Sequence, residues 1–106
     1  MENEFEFTKT DKVYELHPAI RAYFPTFLTH RFEELVVLKN ALKIDDFDEV
    51  RAYCHKQRGV AASYKCFKLE EITEMIHQYA KDNKLDPIRA LIPILENYLE
   101  ELKISI

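Results

Sequence analysis

Apolar side chains recur along this chain at intervals of three and four, the spacing of one face of an α-helix. Phe24, Phe27, Leu28, Leu35, Leu38 and Leu42 mark a first stripe. Phe47, Val50, Cys54, Ala61 and Tyr64 mark a second, and Leu69, Ile72, Ile76, Tyr79 and Ala80 a third. Ile88, Leu91, Ile92, Leu95, Leu99 and Leu102 complete the set. The stripes predict helices over about Pro18–Lys43, Asp46–Tyr64, Lys68–Lys81 and Pro87 to the end of the chain. His17-Pro18 and Asp86-Pro87 read as starts, because proline suits the first helical turn. Asp45-Asp46 supplies a cap for the second helix, and Asp48 and Glu49 favour its dipole. Pro25 is expected to break or kink the first helix, and Pro93 to bend the last or leave one carbonyl unpaired. Met1 to Lys12 has no helical period and reads as an extended tail whose phenylalanines cover the core.

Four amphipathic helices with short connectors predict an all-α, antiparallel four-helix bundle over residues 13–106, after a tail over 1–12. At 106 residues there is room for one modest core. A single glycine excludes phosphate-binding loops, dinucleotide fingerprints and collagen repeats, and disfavours a β-barrel or sandwich. No apolar run reaches the length of a membrane span. The acidic N-terminus does not read as a secretory signal. Two cysteines, Cys54 and Cys66, give no disulfide framework, and with four histidines they form no zinc pattern. The expectation is a cytoplasmic monomer with reduced thiols, no metal and no cofactor.

The net charge of −4 is unevenly distributed. Arg51 to Lys68 holds five basic residues and no acid, which leaves a balance of −9 elsewhere. Inside that segment lies His55. Its helical neighbours are Arg51 and Ala52 one turn before, and Arg58 and Gly59 one turn after, with Ala62 two turns on. Three of these have almost no side chain, and Lys56 adds charge at the rim. The sequence thus predicts an exposed imidazole cleared of steric cover and set in a cationic field. Mid-helix glycine costs about 1 kcal/mol relative to alanine. Close approach of another backbone explains Gly59, and so does tight helix packing within the fold. Imidazole is a nucleophile near neutral pH, and a phosphoimidazole would suit Arg58 and Arg51 as charge-assisted donors. His17, His30 and His77, each taken alone, read as surface or edge histidines.

His55-Lys56-Gln57-Arg58-Gly59 resembles the His-x-x-Lys-Gly motif of histidine-containing phosphotransfer (HPt) domains, with arginine in place of lysine. Ala62-Ser63-Tyr64 is similar to the stretch that often follows. Phe24-Pro25-x-Phe27-Leu28, Ala41-Leu42 and Asp46-Phe47 resemble the approach to the active helix, and Glu96-Asn97-Tyr98-Leu99 the ending. The similarity covers about Val13 to Leu102. It implies a phosphohistidine carrier, with no kinase site of its own, that shuttles a phosphoryl group between receiver-domain aspartates. His55 would be the acceptor, through Nε2. Arg58 would stand beside the phosphate, and Gly59 would clear the docking surface together with Ala52 and Ala62. His77, with Gln78 beside it, falls where a polar side chain of the next helix reaches the active histidine in some members. The implied partners are response-regulator receivers and a hybrid histidine kinase. The sequence departs from the family at Lys65, where a second glycine is usual, and at Cys66, where an aromatic is usual. A bundle that docks a receiver without accepting phosphate is the alternative. Nucleic-acid binding is disfavoured, because five basic residues stand against −9 elsewhere and no second reading helix is evident.

Overall fold

The structure, a computed structural model, describes residues 5–105. Among them every regular element is helical. A 3-10 turn at Val13–Glu15 precedes α1 (Pro18–Arg21), α2 (Phe24–Lys43), α3 (Phe47–Ser63), α4 (Phe67–Lys81) and α5 (Leu85–Ser105). The four long helices close a ring of contacts in which α2 meets α3, α3 meets α4, α4 meets α5, and α5 meets α2. Their inward stripes form one core that includes Leu38, Val50, Cys54, Ile72, Ile76, Leu91 and Leu95, all fully buried.

The expected boundaries are corrected at two prolines. The first helix breaks at Ala22–Tyr23, before Pro25, which lies in the first turn of α2. The last helix begins at Leu85, so Pro87 is its third residue and Asp86 lies inside it. The physical reason is shared: the first four N–H groups of a helix have no internal partner, so proline fits several positions of that turn. Pro93 sits exposed in α5, where its missing N–H leaves the Arg89 carbonyl without its usual donor on the solvent side. His17 caps α1 by accepting the Ala19 N–H at Nδ1, 3.1 Å. Asp46 caps α3 by accepting the Glu49 N–H, 3.1 Å.

The connectors after α2, α3 and α4 use one device. Asp45, Lys65 and Asn83 take left-handed backbone with φ of 55°, 58° and 57°. In each case the next N–H reaches back to a carbonyl of the last turn: Asp46 to Ala41, Cys66 to Ala61, and Lys84 to Tyr79, all 2.9 Å. This is the Schellman closure, in which glycine is the usual left-handed residue.

Residues 5–12 run antiparallel along α4. Phe5 meets the edge of Tyr79 at 6.4 Å, and the Lys12 N–H bonds to the Lys65 carbonyl at 2.9 Å. Glu71 accepts the N–H groups of Thr8 and Lys9 and the Thr8 hydroxyl. Asp11 accepts the Tyr98 hydroxyl at 2.6 Å and the Lys68 N–H at 2.9 Å, so a tail carboxylate caps α4. Phe5 and Phe7 pack against the core, as expected of the tail's phenylalanines. The tail also reaches α5, through the Asp11–Tyr98 bond.

Candidate functional site

Val50, Cys54, Gln57 and Ala61 line the buried side of α3. Ala52, His55, Gly59 and Ser63 occupy the opposite side at steps of three and four, and all four are exposed. Among the described residues no hydrogen bond or ion pair involves the His55 ring. A Cβ built on Gly59 would meet nothing within 4 Å. Gly59 has no positive φ either, so neither packing nor backbone geometry within the fold requires a glycine there. Of the two explanations read from the sequence, tight internal packing is removed. Ala62, half-buried, flanks the same line.

The cationic field expected around His55 is corrected by the packing. Arg51 pairs with Asp48 one turn away on α3. Lys56 pairs with Glu34 of α2 at 3.2 Å. Arg58 pairs with Glu74 of α4, with Nε donating to one carboxylate oxygen at 3.1 Å and Nη2 to the other at 3.3 Å. Two of these acids come from helices far away in sequence, and neighbouring helices bring them to the basic segment. Lys68 lies instead over the Phe7 ring, 5.1 Å from its centroid. The charge at the rim of His55 is therefore balanced.

His77 on α4 faces Arg58: its Nδ1 lies 3.0 Å from Arg58 Nη2. Because Nη2 can only donate, Nδ1 accepts and the neutral ring carries its proton on Nε2. Burial and the nearby charges of Arg58, Lys81 and Arg51 hold His77 below the usual histidine range, against the opposing pull of Glu74.

Sequence reasoning missed Gln57 and Arg31. Gln57 is fully buried beneath α3, and its carbonyl oxygen accepts from Arg31 Nη1 at 2.5 Å. The signal was available, since Gln57 continues the interval of Val50 and Cys54. Cys54 and Cys66 are free and buried, and burial pushes both thiols up to about 12, too high for nucleophilic work at neutral pH. A cleft of about 930 Å³ opens between the tail and the helix ends, lined by Lys9, Arg21, Phe24, Lys68, Tyr98 and others. No residue of α3 lines it, and His55 is exposed to solvent outside it. Among the described residues no helix is long and apolar enough to cross a membrane, and no cluster of ligating side chains could hold a metal ion. Compared with known proteins, the chain matches no family model, no curated protein and no solved structure.

Proposed function

We propose that the chain is a histidine phosphotransfer protein, an antiparallel four-helix bundle of α2 to α5 working as a cytoplasmic monomer. His55 takes a phosphoryl group from the aspartate of one receiver domain, or of a hybrid kinase, and passes it to another. The observation that carries this reading is the pairing of an exposed, unpartnered His55 with Gly59, whose missing side chain nothing inside the fold needs. The resemblance of His55 to Gly59 to the phosphotransfer motif supports it.

In the transfer, the Nε2 lone pair of neutral His55 attacks phosphorus of the aspartyl phosphate. The P–O bond breaks, its electron pair leaves on the aspartate carboxylate, and the Nδ1 proton passes to solvent. The second receiver's aspartate reverses the step. Arg58 and Arg51 can turn toward the new charge, because their ion pairs are partly exposed and such pairs are worth about 0.2–1 kcal/mol. A receiver carrying labelled phosphate should transfer label to this chain in acid-labile, base-stable form, and His55→Ala should abolish it. Label retained by that variant would refute His55 as the acceptor.

The engagement of Arg58 by both Glu74 and His77 favours a second reading, a module that docks a receiver without accepting phosphate. Tight receiver binding with no label from any donor receiver would establish it.

A further inference from the structure

We propose that Glu74 is a positioning residue that competes with a phosphoryl group on His55 for the Arg58 guanidinium, and so sets the lifetime of the phosphohistidine. The proposal rests on the phosphotransfer reading.

Two ion pairs at the rim of His55 are unlike the third. Arg51 is held within its own helix, and Lys56 makes a single contact to Glu34. Glu74 reaches across from α4 and takes the Nε–Nη2 edge of Arg58 with both oxygens. That edge is the fork that would grip a phosphoryl group bidentately. Nη2 also donates to His77, which leaves Nη1 for any further acceptor. A phosphoryl group one turn away must therefore settle for Nη1 or displace Glu74. While Glu74 stays, its charge also repels the incoming group.

The exchange is within reach: the Arg58 side chain is 38% exposed and that of Glu74 54%. Nothing in the fold holds Glu74 beyond this pair among the described hydrogen bonds. His77 engages the same guanidinium by accepting from Nη2, so α4 supplies both groups that compete for it.

Phosphoramidate tests this without a receiver. Its P–N bond breaks, ammonia leaves, and the phosphoryl group bonds to the imidazole. Glu74→Gln keeps the size of the side chain and removes its charge. Phosphohistidine half-life should lengthen about two- to five-fold, the worth of a half-exposed ion pair. Glu74→Asp, which keeps the charge, should recover most of the wild-type value. In an Arg58→Ala background, Glu74→Gln should give no gain. Inorganic phosphate should shift the Arg58 Nε–H resonance further in Glu74→Gln than in the wild type. Equal half-lives and equal shifts would overturn the proposal, and so would a gain that survives Arg58→Ala. If phosphoramidate fails to label His55 at all, the phosphotransfer reading falls, while the Arg58 resonance still decides whether Glu74 competes for the guanidinium.

Discussion

Gly59 and Lys65 occupy each other's natural places: the glycine sits on an exposed helical face with open space around its missing Cβ, and the lysine holds φ 58°. A mid-helix position disfavours glycine, and a left-handed position disfavours every residue with a Cβ. The fold would be more stable with the two conformational demands met the other way. Neither packing nor backbone conformation within the fold accounts for Gly59, which lies one turn after the exposed His55.

Gly59→Ala should stabilise the protein by about 1 kcal/mol, the helix-propensity difference. For a domain of this size that corresponds to a rise of about 4–8 °C in the melting temperature. Gly59→Leu should also remain folded, yet lower transfer from a phosphorylated receiver by about tenfold or more, a barrier increase of about 1.4 kcal/mol. Circular dichroism melts and transfer rates check the two halves separately. A destabilised Gly59→Ala would mean that the glycine serves the fold after all.

Lys65→Gly should stabilise as well, by about 0.5–1 kcal/mol. Relief of the left-handed strain exceeds the extra backbone entropy that glycine loses on folding. The position also takes the Lys12 N–H through its carbonyl, a bond that any side chain permits. Transfer should be unchanged, because Lys65 closes α3 through a backbone conformation and stands outside the His55 line. Urea midpoints and transfer rates for the variant are the measurements. This places the departure from the resembled motif at Lys65 in helix termination.

Much of α3 was legible because local rules agree there. The Asp46 cap, the acidic first turn and the apolar interval fix its start, its buried face and therefore the exposure of His55. The rim charges were not legible. Glu34 and Glu74 reach Lys56 and Arg58 only through the packing of α2 and α4 on α3, and no spacing in the sequence encodes which carboxylate a given arginine will meet. The break near Pro25 and the start at Leu85 were placed a few residues off because proline marks a first turn without marking its first residue. Gln57 escaped for another reason: its interval belongs to the core while its side chain does not, and only a partner as unexpected as Arg31 makes that position tolerable.

Acid should loosen the tail before the core. Burial alone would raise the Glu71 carboxyl, but bonds from the Thr8 and Lys9 N–H groups and the Thr8 hydroxyl outweigh it and hold the group below the usual glutamate range. A carboxylate depressed in the folded state contributes stability above its unfolded value, and that contribution is lost as pH falls through the folded value. Hydrogen exchange at the Thr8 and Lys9 amides, corrected for intrinsic rates, should therefore accelerate as pH falls through and below the ordinary glutamate range, while core amides of α3 and α5 stay protected. Glu71→Gln should show the fast tail exchange already at neutral pH. Tail protection that is the same in that variant and at low pH as in the neutral wild type would contradict the role of Glu71.

Arg31 and Gln57 form a buried polar pair between α2 and α3, with the guanidinium also 5.1 Å from the Phe27 ring centroid. Burial lowers the Arg31 pKa from its ordinary value, and among the described residues Arg31 Nε and Gln57 Nε2 find no hydrogen-bond partner. Gln57→Leu would leave a buried guanidinium without its acceptor and should cost about 1–3 kcal/mol. Arg31→Met would leave the Gln57 amide unpaired and should cost a similar amount. The double variant removes both polar groups, and replacement of a buried polar pair by well-packed apolar side chains is often neutral or stabilising. The cycle should therefore be strongly non-additive, with the double variant close to the wild type in urea midpoint. Additive losses would mean that each side chain is held by something other than its partner. If the double variant matches the wild type in stability but transfers phosphate more slowly, the pair holds α3 in the register that presents His55, which would account for a polar contact the core does not need.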